Sequence, residues 1–470
     1  MTLSLYDWAL VVAYLGTLFY LGLRGSSGSR TTVSSFLLGG RTLTLPLFVA
    51  SLVSTWYGGV LGVGEYSYRF GLSNIIVFGV PYYLFAIIFA IFFAEKVRNS
   101  NLVSIPDKLY QTYDLKSGIA GSILAWFVSS PAPYFLMLAV LIQVVTGWPL
   151  LWALIAGTSV VLVYVSWGGF RAVVKTDMLQ FLLMFTGFFL ILVFATKEFG
   201  GLEKLFDALP ASHMTWTGGK SVQYMVVWFF IALWTLVAPP FHQFTYSARN
   251  AKTARWGIVL SVVFWMVFDT ITTLSGLYAR VLVPDLSTPA MAYPALAEAV
   301  LPEVAKGIFY LGMLATVMST TDAFTLISAM TLGRDIVGKL RRVSSERLLN
   351  RYTQAGAAVT GLVSVGAVLL VPSIVNLWYV LGTVFIPGLL LPLLTAYYPR
   401  WRLSSGWTFC AMILGSGVSF LAFIIGVING SMDSPAYPFG IEPMYHGLAL
   451  TIGLYMVRHG KRVEEGGASR

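Results

Sequence analysis

Apolar residues run through this chain in long, nearly unbroken stretches separated by short polar connectors. A helix needs roughly 20 mostly apolar residues to cross the hydrocarbon layer of a membrane. Thirteen stretches are candidates, at 6–23, 43–66, 74–93, 119–146, 149–166, 177–195, 222–241, 256–283, 307–333, 353–371, 374–397, 407–428 and 444–457. The last is short and the 372–373 connector is tight, so the pattern admits twelve to fourteen spans. Barrel strands run about 10 residues with alternating polarity, whereas these stretches are far longer and do not alternate. The pattern predicts an all-α polytopic membrane protein, a single transmembrane domain over residues 1–470 surrounded by lipid bilayer.

Composition narrows the class. Charged residues make up 11% of the chain and hydrophobic ones 57%, with a mean hydropathy of +0.77, against about 25% charged in an ordinary globular domain. So few charges cannot keep 51.5 kDa of apolar chain in solution, which excludes a soluble enzyme, a disordered protein and a nucleic-acid-binding module. The formal charge of +10 then reads as an orientation signal. With the N-terminus outside, 24 of the thirty Lys and Arg residues fall in connectors on the inner side and six on the outer. That predicts an N-out, C-in protein of the plasma membrane. Cys410 stands alone and supports no disulfide or redox motif, and the first apolar run lacks the basic lead and small-residue cleavage site of a signal peptide. The longest connectors, 196–221 and 284–306, are too short to fold alone, and no GxxxxGK[ST], HExxH or Ser/His/Asp set is found. The expectation is a monomeric non-enzyme without a cofactor, whose function lies inside the bundle.

Three spans break helical rules at membrane depth. The second holds STWYGGVLGVGE (54–65), with glycines at 58, 59, 62 and 64. The seventh ends in LVAPPFHQF (236–244), where consecutive prolines remove donors and clash with the preceding turn. The ninth holds LATVMSTTDAFTLIS (314–328), rich in hydroxyls. Freed backbone groups are tolerated at such depth only when buried in protein or lining a cavity. The two interrupted spans lie five apart, so spans 2–6 and 7–11 form two repeats; five being odd, the second is inverted. Paired interruptions of this kind point to a midplane transport site. The repeats cover 43–195 and 222–397, with 6–23 and 407–457 as peripheral helices. Thr316, Ser319 and Thr320 share one helix face at i, i+3 and i+4, and hydroxyls with freed carbonyls suit a monovalent cation that must also leave. The competing reading has those hydroxyls bonding their own i−4 carbonyls. Four acids lie in or at the edges of spans, Glu65, Asp177, Asp269 and Asp322, with no basic residue at comparable depth. Glu65 and Asp177 are expected near the interface, and Asp322, two residues past Thr320, is expected to be functional.

YVSWGGFRAVVKTDMLQFLLMF (164–185) resembles the signature of the sodium:solute symporter family, matched by Gly168, Gly169, Ala172, Val173, Thr176, Asp177 and Gln180. FLLGGRTLTLPLFVASL (36–52), PFHQFTYSARNAKTARWG (240–257) and ATVMSTT…GRDI (315–336) resemble further family segments, in the expected order. The resemblance implies a five-plus-five inverted-repeat core of the leucine-transporter type and sodium-coupled uptake by alternating access. It places sodium on the carbonyls of Ser54, Tyr57 and Thr316 and the hydroxyls of Ser319 and Thr320, and sets Asp177 near a second cation. Two departures stand out: Asp322 and Ala323 occupy the positions of a hydroxyl pair, and Gln243-Phe244 replaces a Gln-Arg pair. STWYGG resembles a pattern of choline-like members and brings forward Trp56, with Thr55 and Phe241 beside the two breaks, as candidate solute contacts. The expected solute is small, organic and neutral or cationic; a proton-coupled carrier, a uniporter and a solute-sensing receptor are the alternatives.

Overall fold

The structure, a computed structural model, describes residues 3–25, 32–432 and 435–467. Arg30 and Arg470, two of the basic residues that set the expected orientation, lie outside them. Thirteen long helical segments follow the predicted stretches one for one. They are α1 (Leu5–Gly25), α2a and α2b (Leu45–Trp56 and Val60–Phe70), α3 (Ile75–Phe92), α4 (Leu115–Thr146), α5 (Leu150–Ser166) and α6 (Gly168–Phe199). Then come α7 (Val222–Ser247), α8 (Ala251–Leu282), α9 (Ala305–Gly338), α10 (Glu346–Leu370), α11 (Ile374–Ala396), α12 (Ser405–Asn429) and α13 (Pro443–Gly467). By length and apolar character, nine of these described helices can each cross a membrane, and α2a with α2b makes a tenth.

The bundle is organised around α9, whose residues 309–331 are all buried. It packs against α5 and α6 on one side and against α2a, α4 and α10 on others. Burial of α9 follows from its composition: small and hydroxyl residues at Gly312, Thr316, Ser319 and Thr320 let neighbouring backbones approach, and Gly312 meets Gly187 of α6 directly. Its first turn is capped from another helix. The Asp7 carboxylate of α1, 1% exposed, accepts from the backbone N–H of Val304 at 3.0 Å and of Gly307 at 3.1 Å. These are orphan donors at a positive helix end, so α1 is fastened to the core by its one acid.

Two local departures from helix position the site. α5 and α6 follow one another without a connecting loop and meet at a kink at Gly169, at φ 61° and ψ −164°. A Cβ there would stand 2.7 Å from the carbonyl oxygen of Phe36, so both the conformation and the close approach require glycine. α6 therefore begins well before residue 177, and Asp177 is fully buried in the protein. In α7 the helix stops at Ala238 (φ −63°, ψ 117°) and restarts at Pro239. Prolines at 239 and 240 leave carbonyls one turn back without donors, and the His242 ring nitrogen Nε2 reaches the carbonyl of Leu236 at 3.1 Å. The two broken helices are tied at one face. Leu43, just before α2a, accepts from Arg249 N–H at 2.9 Å and donates to the carbonyl of Ser247 at 3.2 Å.

Candidate functional site

The break in α2 spans Tyr57 to Gly59, and the two halves are bent by 58°. It lies directly against the middle of α9. A Cβ on Gly58 would stand 2.3 Å from both Cβ and Oγ1 of Thr320, so the glycine admits α9 as well as the break. The other glycines of the run serve neighbours too: Gly59 and Gly62 admit the Trp378 ring, and Gly64 admits Tyr293.

At this contact oxygens converge. The Thr320 hydroxyl donates to the carbonyl of Thr55 at 2.6 Å and lies 3.4 Å from the carbonyls of Ser54 and Thr316. Ser319 Oγ lies 2.9 Å from Ser54 Oγ, 3.4 Å from Thr55 Oγ1 and 2.6 Å from the Asp177 carboxylate. All these residues are fully buried. Thr316, Ser319 and Thr320 are thus brought together as the spacing predicts, with Ser54 and Asp177, which the resemblance had named, beside them. Thr316 Oγ1 does turn back to the carbonyl of Gly312 at 2.6 Å, so the i−4 reading holds for that hydroxyl and leaves its own carbonyl facing the cluster. Asp322 is buried on the same helix, and neither of its carboxylate oxygens has a hydrogen-bond partner among the described residues. Tyr164 and Gln180 are the polar groups that face it.

Tyr57 is drawn elsewhere through its side chain. Its hydroxyl donates to Asp269 of α8, and the hydroxyl of Tyr83 on α3 donates to the other oxygen of the same carboxylate. These three residues line a cavity of about 120 Å³ beside the break. Twelve of its seventeen lining residues are aromatic, and no lysine, arginine or histidine is among them. Trp56 forms part of the wall, 5.7 Å from Trp265 and 6.0 Å from Tyr82 between ring centroids. Thr55 lines it also. Phe241 does not. It is fully buried, edge-on to Trp56 at 4.7 Å, because the α7 break turns it toward the wall instead of into the space. Asp269 is the residue the sequence left unplaced: it reads as a mid-span acid, but its two tyrosines come from α2 and α3. Glu65 is partly exposed and pairs with Arg69 one turn on at 3.2 Å, which gives it an ordinary surface role.

A membrane bundle that breaks two helices at depth, beside a cavity and a buried cluster of oxygens, has the architecture of a secondary active transporter. Residues 36–415 match the Sodium:solute symporter family. The chain belongs to that family, and its activity is sodium-coupled secondary transport. It is 26% identical over 375 residues to the sodium/pantothenate symporter of Escherichia coli K12, covering 75% of this chain and 77% of that one. It is 23% identical over 402 residues to the sodium/mannose cotransporter of Bos taurus, covering 74% of this chain and 66% of the other. The fold is similar to that of a Na+-coupled sialic acid symporter in its substrate-bound outward-open state, with a TM-score of 0.79 and 17% identity over 97% of this chain and 98% of that one.

Proposed function

We propose that this protein carries a small neutral or cationic organic solute across the plasma membrane together with sodium, as a monomer working by alternating access between residues 43–195 and their inverted counterpart 222–397. Sodium is held by the carbonyls of Ser54, Tyr57 and Thr316 and the hydroxyls of Ser319 and Thr320, with Asp177 supplying negative charge beside Ser319. The observation that carries the reading is the convergence of three carbonyls, those of Ser54, Thr55 and Thr316, on the single Thr320 hydroxyl. Hard cations take oxygen ligands of this kind, and neutral ones let a monovalent ion leave again. The Thr55 carbonyl joins the set on the same evidence.

The solute sits in the aromatic cavity against Trp56 and Thr55. A cavity of about 120 Å³ is somewhat smaller than the roughly 150 Å³ that takes a benzene-sized guest, which favours a solute of a few heavy atoms. The relatives' own names carry pantothenate and mannose, two solutes of different chemistry, so the lining of this cavity is the better guide. A second reading, proton coupling through Asp322, is favoured by its full burial with no basic partner among the described residues. The test is the Ser319→Ala, Thr320→Ala double variant in reconstituted vesicles. Loss of sodium-dependent uptake and of sodium-dependent thermal stabilisation is expected. Unchanged sodium dependence of both would remove this site, and uptake driven by a proton gradient alone would favour Asp322.

A further inference from the structure

We infer that the transported solute is a small organic cation bearing one oxygen, and that Asp269 is its counter-charge. The inference rests on the symport reading above and fixes the class of solute that reading leaves broad.

Charge is the first ground. Asp269 is 3% exposed and, among the described residues, is the only acidic one lining the cavity, which none of the described lysines, arginines or histidines borders. Its two oxygens each accept from a phenol, Tyr57 and Tyr83. Phenols supply hydrogen bonds and no positive charge, and no ion pair among the described residues includes Asp269. A lone carboxylate inside a membrane bundle is costly and marks a place where a charge is matched or moved. An arriving cation matches it; an arriving anion is repelled.

The walls give the second ground. Ring faces carry negative quadrupole charge and hold cations, tryptophan most strongly. Trp56 and Trp265 lie 5.7 Å apart with their planes tilted by 36°, and Tyr82 stands 6.0 Å from Trp56. Tyr134 and Trp378, 6.2 Å apart, border the same space. A purely apolar solute would gain from such walls without any need of Asp269. The third ground is a donor without an acceptor. Trp265 lines the cavity, is 1% exposed, and its indole Nε1–H has no hydrogen-bond partner among the described residues. Buried donors are rarely left so, and an oxygen on the solute satisfies this one. Together the grounds describe a short alkylammonium ion with a hydroxyl or ether oxygen.

The experiment measures thermal stability of the purified full-length protein in sodium. Its probes are choline, methylammonium, the uncharged carbon isostere of choline (dimethylbutanol) and pantothenate. Choline or methylammonium should stabilise, choline should bind about ten-fold or more tightly than dimethylbutanol, and pantothenate should not bind. Asp269→Asn should keep the sodium response, lose that preference for choline, and bind dimethylbutanol as the wild type does. Equal binding of choline and dimethylbutanol, preference for pantothenate, or no response to either ammonium ion in a sodium-responsive wild type would each overturn the inference. So would loss of the sodium response in Asp269→Asn, which would assign the carboxylate to the inorganic ion. A wild type with no sodium response would instead sink the symport reading. The wild-type comparison decides the matter even where Asp269→Asn does not fold.

Discussion

A methyl group added at Gly58 would stand 2.3 Å from Cβ and Oγ1 of Thr320 and 2.6 Å from its Cγ2. Turning the threonine cannot relieve this, because its Cβ is fixed by the backbone of α9. The break in α2 and the middle of α9 must therefore move apart in Gly58→Ala. Overpacking of this kind costs about 1–3 kcal/mol. Loss of the 2.6 Å bond from Thr320 to the carbonyl of Thr55 adds about 1 kcal/mol. The same separation pulls the α9 hydroxyls away from the α2 carbonyls, so sodium affinity should fall about ten-fold or more, which is 1.4 kcal/mol or above.

Thermal unfolding followed over a sodium titration reads both effects at once. The melting temperature without sodium reports the packing cost, and its rise with sodium reports affinity. Thr320→Ala should not rescue Gly58→Ala, since the offending Cβ remains. Thr320→Gly removes all three crowded atoms, so it should restore much of the packing but not the sodium response, the hydroxyl being gone. Gly16→Ala is the control, with no atom within 4 Å of the added methyl; its sodium response should equal the wild type's. A Gly58→Ala protein with wild-type stability and wild-type sodium response would refute the contact between the break and α9.

Trp56→Ala should weaken solute binding by about 1–2 kcal/mol, the scale of a desolvated cation–ring contact; wild-type affinity in a folded variant would leave Trp56 a packing residue only. Sodium binding should weaken as pH falls, because protonating Asp322 removes a negative charge one turn from Ser319. The pH dependence should flatten in Asp322→Asn, with reduced sodium affinity at neutral pH, and an unchanged profile by sodium titration would exclude the residue from ion binding.

The helical segments were legible because lipid demands one simple property, apolar length, and nine of the described helices, ten with the bent pair α2a and α2b, supply it in full. The face carrying Thr316, Ser319 and Thr320 was legible because helical spacing alone puts them together. The start of α6 was placed too late, at Asp177, for a traceable reason. The apolar run begins there, but the helix begins at Gly168, with Arg171 and Lys175 exposed on its outer side. The glycines of α2 announced a break, yet what each admits lies some 230 to 320 positions away in sequence, at Tyr293, Thr320 and Trp378, and no local pattern encodes that. The cavity was the least legible part. Its rings come from many helices, and the pair of tyrosines on Asp269 forms only once α2, α3 and α8 are packed. Phe241 shows the converse error: closeness to a break in sequence does not put a side chain in the space the break creates.

Coupling follows from how few residues separate the two candidate sites. Ser54 and Thr55 present their carbonyls to the Thr320 hydroxyl, while Thr55, Trp56 and Tyr57 line the cavity. One stretch of unwinding backbone thus serves ion and solute in consecutive positions. If the proposed sites are right, a first ligand that orders that stretch favours binding of the second without any contact between the two. Linkage makes the effect mutual: sodium must tighten solute binding by the same factor as solute tightens sodium binding. The ordered stretch is also the end of α2a, whose other end pairs through Leu43 with Ser247 and Arg249 at the close of α7. A ligand that fixes residues 54–57 therefore bears on both broken helices, which is the mechanical requirement for turning two binding events into one change of access.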